Sequence, residues 1–183
     1  MKKSQSFNYT IVFTAFMFLG LFFFSSCQIN DSKFINGYPL PDLTLPDLTG
    51  KSVTLSEINE NKIILVEFWA SWCEPCRVKH PELNRIYQLY RNKKFLNADG
   101  FEILYVNLDT KKEAWEKAMK KDGIDNWKYH VADLAGMKKS DLPERFQFEQ
   151  IPTAYLVDAN GIIIGKDLTE HRLFHELKFR LKE

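Results

Sequence analysis

Apolar and polar positions alternate in blocks that lay out a series of strands and helices. Lys62 to Trp69 is a nearly continuous apolar run of strand length, interrupted by Glu67, and predicts a central strand covered on both faces. Phe101 to Leu108 has the same character and predicts a second buried strand. Between them, from Glu74 onward, Leu83, Ile86, Tyr87 and Tyr90 follow the three-and-four spacing of one buried helix face. Pro81 lies inside this helix, where its ring removes the bond to the Arg77 carbonyl and a kink is expected.

Downstream, Ala114, Trp115, Ala118 and Met119 mark an amphipathic helix from about Lys111 to Lys121, ended by Gly123. A short strand is expected at Trp127 to Val131 and a helical turn at Leu142 to Phe146. Thr153 to Val157 and Gly161 to Gly165 flank Asp158-Ala159-Asn160, which predicts a hairpin. Leu173, Phe174, Leu177 and Leu181 stripe a terminal helix. Upstream, Pro41-Asp42, Pro46-Asp47 and Thr49-Gly50-Lys51 punctuate an amino-terminal hairpin over Leu40 to Leu55, and Ser56 is the expected cap of a brief helical turn through Asn59. This order predicts an α/β sandwich with a mixed sheet flanked by helices.

The first 26 residues stand apart. Lys2 and Lys3 precede Ile11 to Phe24, an apolar run shorter than the ~20 residues of a comfortable membrane span. It fits the apolar region of a secretory signal. Phe24-Ser25-Ser26-Cys27 follows and resembles a bacterial lipobox, so Cys27 is a candidate for lipidation; an uncleaved anchor with an incidental Cys27 is the alternative. The expected organisation is a lipoprotein signal at 1–26, a tether at 27–37 and a folded domain at 38–183, placing the protein in the cell envelope on the periplasmic side.

Composition narrows the choice. The 183 residues are 45% hydrophobic and 27% charged, which suits one globular domain plus extras. Losing Lys2 and Lys3 with the leader takes the formal net charge from +1 to −1, and so near-neutral a chain offers no electrostatic case for nucleic acid. Three cysteines is an odd number for an exported chain. With Cys27 lipidated, Cys73 and Cys76 remain as a pair.

That pair carries the candidate chemistry. In Trp72-Cys73-Glu74-Pro75-Cys76, two thiols three positions apart sit where an apolar strand gives way to a helix. Free N–H groups and the positive end of the helix dipole stabilise an anion at Cys73, lowering a thiol pKa from ~8.5 toward 3.5–7.5. The expected sequence is attack by the Cys73 thiolate on a partner disulfide, a mixed disulfide, then resolution by Cys76. A permanent structural bridge is the plainer alternative, though so short a loop stabilises little. Glu74 opposes ionisation of Cys73 as a neighbouring charge and suits the helix start as an anion, so its net sign is open. Arg77, Lys79 and His80 are expected to form a solvated basic rim.

Glu67 lies six positions before Cys73 within Ile63-Ile64-Leu65-Val66-Glu67-Phe68-Trp69. Burial there would raise its pKa and suit it to take the proton of Cys76; the bland reading is a strand-end glutamate paired with a surface lysine. Ile151-Pro152-Thr153 precedes the late strand, and its proline is either a loop residue or a cis peptide shaping a site.

Together, Trp72-Cys73-Glu74-Pro75-Cys76, Pro81, Ile151-Pro152-Thr153 and Asp158-Ala159-Asn160-Gly161 resemble the thioredoxin superfamily, and within it the exported, membrane-tethered TlpA/ResA-like thiol–disulfide oxidoreductases. The segment from Pro41-Asp42 through Leu55 also looks like that group's amino-terminal hairpin. The resemblance implies a thioredoxin-like fold, Cys73 as nucleophile and Cys76 as resolving thiol. It also implies a cis Pro152 stacked on the disulfide, an Ile151 backbone pairing with an extended substrate beside Trp72, and a proton-transfer role for Glu67 at the place of a buried aspartate. Many TlpA-like proteins carry asparagine at the Glu67 position and glutamate where this chain has Lys79.

The function expected from this is a dithiol reductase of exported protein disulfides, apocytochrome c among the candidate substrates, supplied by an upstream membrane electron donor. It would act as a monomer with no cofactor and no metal. Three rivals stand beside it. A dithiol oxidase or isomerase would use the same residues. A peroxidase would want proline and threonine where Val66 and Ala70 stand. A copper-binding module would take its ligands from Cys73, Cys76 and His80.

Overall fold

The computed structural model describes residues 36–183; the expected leader at 1–26, Cys27 and all but the end of the expected tether lie outside the described residues. The five-stranded sheet at the centre is built around β3 (Ile63–Trp69), every residue of which is buried. β3 runs parallel to β4 (Phe101–Asn107), which runs parallel to β5 (Tyr129–Ala132). On the other side it pairs antiparallel with β6 (Thr153–Val157), itself antiparallel to β7 (Ile163–Lys166), giving the order β5-β4-β3-β6-β7. An antiparallel hairpin of β1 (Thr44–Pro46) and β2 (Ser52–Thr54) precedes the sheet, its turn held by Asp47, which accepts from the Thr49 hydroxyl at 2.7 Å and the Lys51 N–H at 3.0 Å.

The two helices that connect the parallel strands, α2 (Glu74–Tyr90) and α3 (Lys112–Asp122), cover one face together with the terminal α5 (Glu170–Phe179). Parallel neighbours need such crossovers, and right-handed ones stepping along the sheet put both helices on the same side. The opposite face is covered by α1 (Leu55–Asn59), α4 (Leu142–Arg145) and the segment before the hairpin. The strict alternation of a strand then divides β3: Ile63, Leu65 and Trp69 join the first core, Ile64, Val66 and Phe68 the second.

The described residues form the mixed α/β sandwich the periodicity predicts, with local differences. The short strand starts at Tyr129 rather than Trp127, and the last strand at Ile163 rather than Gly161, because Asp158 Oδ1 binds the Asn160 and Ile162 N–H groups at 2.9 Å and lengthens the turn. α2 runs through Pro81 as one helix. Ser56 is not the cap of α1: it lies within the helix, and Asp42 serves instead, accepting the Ser56 N–H at 3.0 Å and its hydroxyl at 2.7 Å. A carboxylate takes four lone-pair sites to the helix start, against two for a hydroxyl. Gly123 closes α3 in the left-handed conformation (φ 68°), which glycine adopts without a side-chain clash.

Candidate active site

The site forms where β3 gives way to α2. Cys73 occupies the N-cap of α2, and its Sγ accepts the Cys76 N–H at 3.2 Å, a donor that would otherwise have no partner in the first turn. Pro75 fills that turn, where a missing N–H costs nothing. The two sulfurs are bonded at 2.03 Å, with the Cα atoms 5.3 Å apart. Both cysteines are buried, Cys73 at 4% exposure and Cys76 at 0%, so Cys73 is the more accessible residue of the two. Beside them Trp72 is 61% exposed, and Val78, Glu74 and Pro75 are also open to solvent. A shallow depression of about 310 Å³ lined by Ser71, Trp72, Glu74, Arg77, Val78 and Lys121 adjoins the disulfide.

Two carboxylates that the sequence pattern did not single out hold this corner in place. Asp109, buried just after β4, accepts the Ser71 N–H at 3.0 Å and the Ser71 hydroxyl at 2.8 Å, and is itself oriented by the Asn107 amide at 2.9 Å. Asp122, at the end of α3, receives a fork from Arg77 (Nε at 2.9 Å, Nη2 at 2.5 Å) and lies 2.9 Å from His80 Nδ1. Burial pulls the Asp122 carboxyl upward, but the Arg77 and His80 hydrogen bonds outweigh it and hold the group below the ordinary aspartate value. Arg77 is raised in turn by its Asp122 bond.

The expected solvated basic rim is therefore corrected. Arg77 is clamped to α3, and His80 is fully buried, its ring edge-on to Trp69 at 4.9 Å and to Tyr105 at 5.6 Å. Burial pushes His80 below its usual value against the pull of Asp122, which favours the neutral ring. The signal was legible, because His80 falls one turn after Cys76 on the face that continues through Leu83 and Tyr87.

Glu67 sits in mid-strand, in register with Tyr105 on β4 and Ala154 on β6, and is 1% exposed. Alternation points it to the face of Leu65 and Trp69, whose core includes Cys73 and Cys76. It is not a strand-end residue at the surface. Burial pushes its pKa up from 4.5 to about 8; the Lys79 charge opposes the rise and Glu170 adds to it. Lys79 Nζ lies 3.5 Å from Glu170 Oε1, joining α2 to the first turn of α5. Tyr105 is lifted well above its ordinary value by burial and then by Glu67.

The Ile151–Pro152 peptide is cis. Ile151 is half-buried, packs against both cores, and makes no backbone hydrogen bond to a described residue. The two cysteines and Ile151 thus share one core, with Glu67 on the same face of the sheet.

Fold and site together define a dithiol protein of thioredoxin architecture, and comparison with known proteins agrees. Residues 61–163 match the family described as thioredoxin-like, and the chain belongs to that family. It is 28% identical over 134 residues to a thiol–disulfide oxidoreductase ResA of Bacillus cereus, covering 73% of this chain and 70% of the relative. Among solved structures, the thioredoxin domain of a thiol–disulfide oxidoreductase from Bacteroides vulgatus is 31% identical with a TM-score of 0.68, covering 79% of this chain and 96% of that one. A thiol–disulfide oxidoreductase from Bacteroides fragilis gives the same identity and TM-score over 77% of this chain and 98% of its own. The protein is a thiol–disulfide oxidoreductase whose redox pair is Cys73 and Cys76.

Proposed function

We propose that this oxidoreductase works as a reductase of protein disulfides in the cell envelope, with Cys73 as nucleophile and Cys76 as resolving thiol. The observation that carries the assignment of roles is the position of the Cys73 sulfur at the N-cap of α2, accepting an N–H from the first turn. The Cys73 thiolate attacks one sulfur of the partner disulfide; the other sulfur leaves as a thiolate, and a mixed disulfide forms. Cys76 then loses its proton and attacks Cys73 Sγ, releasing the reduced partner and restoring the Cys73–Cys76 disulfide. Glu67, with a pKa of about 8 close to that of a thiol, is matched to accept the Cys76 proton in that step.

Trp72, Ile151 and Pro152 form the substrate-binding surface in this reading. The exposed Trp72 ring offers an apolar contact, and the free Ile151 backbone offers a strand-like pairing edge to an extended segment. The lipidated Cys27 tethers the domain to the membrane. No helix among the described residues is long and apolar enough to cross it. Oxidised protein returns to the dithiol through an upstream membrane donor, which an oxidising compartment requires of any reductant. Apocytochrome c cysteines are one substrate of this class, and the protein acts as a monomer without cofactor.

Two measurements test this reading. In Cys76→Ala the mixed disulfide cannot be resolved, so envelope partners accumulate on Cys73 and are named by mass spectrometry; a variant that captures nothing overturns the assignment. A redox titration of the pair fixes direction: a potential near the −270 mV of thioredoxin supports a reductase, and one near −120 mV makes the protein an oxidase.

A further inference from the structure

The chain has four histidines, and the fold sorts them into two kinds. His80 and His130 are buried on either side of the Tyr105 ring, where His80 is bound to Asp122 and His130 to the Ile124 carbonyl at 2.7 Å. His171 and His175 are both exposed, four positions apart on α5, and therefore one above the other on the helix surface. Their Nε2 atoms stand 3.1 Å apart, with ring centroids at 4.4 Å and an interplanar angle of 60°.

That separation has a meaning beyond a contact between two rings. Two imidazole nitrogens bound to one ion at ~2.0–2.1 Å stand about 2.9–3.3 Å apart for bond angles between square and tetrahedral. The observed spacing falls within that window without a change of backbone. The scaffold is also fixed. Thr169 caps α5 by accepting the Arg172 N–H at 3.3 Å, Leu173 and Leu177 anchor the helix in the core, and the His175 ring meets Phe174 edge-on at 5.6 Å. The pair is held on a helix that the rest of the protein keeps folded.

We propose that His171 and His175 form a bidentate site for a divalent transition-metal ion, with Cu(II) the tightest binder. Imidazole suits Cu, Ni and Zn, and the ordinary order of affinity for a nitrogen site places Cu(II) at the top. No group of three or more His, Cys, Asp or Glu side chains among the described residues is placed to enclose an ion, so water fills the remaining positions. The nearest acids are engaged elsewhere: Glu170 with Lys79 on α2, and Glu176 with Arg180. Arg172 and Lys178 on the same helix add positive charge nearby. An open site with two protein ligands and cationic neighbours binds moderately and exchanges its ion readily. The competing explanation of the 3.1 Å contact is a simple hydrogen bond between two neutral imidazoles, one donating and one accepting.

The test is Cu(II) titration of the tag-free full chain in its disulfide form, followed by calorimetry and electron paramagnetic resonance, beside His171→Gln, His175→Gln and the double variant. The expected result is one Cu(II) per chain, with nitrogen hyperfine structure from two imidazoles in the wild type and one or none in the variants. Each single substitution weakens binding by about tenfold or more, since the second donor acts at high effective concentration. Cu(II) also raises the melting temperature of the wild type and not that of the double variant. Wild-type affinity no higher than that of the double variant, or two-nitrogen hyperfine structure surviving in it, overturns the proposal. So does a single variant that binds as tightly as the wild type. Disulfide exchange by Cys73 and Cys76, assayed without added copper, is the same in the three variants as in the wild type, so this outcome is separate from that of the redox assignment.

Discussion

The two faces of β3 are equally buried and chemically opposite. On one side, Phe68 packs with Phe146 at 5.1 Å, Phe148 at 4.7 Å and Tyr155 at 6.4 Å, and the polar groups nearby are matched: the Tyr155 hydroxyl donates to the Phe146 carbonyl, and Asn59 donates to the Lys62 and Asp158 carbonyls at 2.8 Å. On the other side lie Glu67 Oε2, Trp69 Nε1, His80 Nε2, Tyr105 Oη, Trp115 Nε1 and His130 Nδ1, all buried and without a hydrogen-bond partner among the described residues. Such groups cost stability, typically ~1–3 kcal/mol each. Among the described residues, no such buried side-chain atom lies on the Phe68 side. The unsatisfied polar groups collect on the face whose core includes the disulfide, where burial favours the neutral forms of the Glu67 carboxyl and the His80 ring.

The largest expected effect comes from removing the acid at the centre of the polar face. The folded-state pKa of Glu67, about 8, lies above its unfolded value of 4.5, so the native state holds a proton the unfolded chain has lost between those two pH values. Stability associated with this group is complete below pH 4.5 and falls as pH rises to about 8, by on the order of 4–5 kcal/mol. Denaturant unfolding of the disulfide form across this range should show that decline in the wild type and not in Glu67→Gln. Parallel curves for the two proteins would mean that Glu67 is not held neutral.

On the satisfied face, Phe68→Ala should cost ~3–5 kcal/mol by cavity formation. Rates of disulfide exchange measured well below the unfolding transition should stay close to wild type. A large loss of exchange rate would show that the two faces are not separable.

Much of this comparison could be read in the chain and part could not. The apolar run of β3, the buried stripe of α2 and the dithiol at their junction are local patterns, and local patterns survive into the fold. Burial of Glu67 follows from a carboxylate within seven strand residues. The clamps did not follow. Ser71 and Asp109 are 38 positions apart and Arg77 and Asp122 are 45 apart, and no spacing rule links residues across a crossover. The same holds for Asp42, which caps α1 from 14 positions away. His80 was legible on the stripe yet reads as a charged rim residue when judged by type instead of by position.

The Asp122 clamp gives the next smaller effect. Asp122→Ala leaves Arg77 and His80 without their shared partner and should cost about 2–3 kcal/mol, below the 3–5 kcal/mol of a fully buried pair. Chemical unfolding measures it, and an unchanged midpoint would remove the clamp from the description. The smallest effect is electrostatic. Lys79→Met removes the charge that opposes the rise of the Glu67 pKa and should move the stability decline further upward by roughly one pH unit or less. A downward shift would assign the coupling to some other group.

The central claim is that the sulfur at the N-cap of α2 is an anion near neutral pH. Alkylation of reduced Cys76→Ala by iodoacetamide, followed from pH 4 to pH 10 at position 73, measures this directly. A midpoint within ~3.5–7.5 is predicted, and a midpoint at the ~8.5 of an ordinary thiol, or above it, would contradict the assignment of Cys73 as nucleophile.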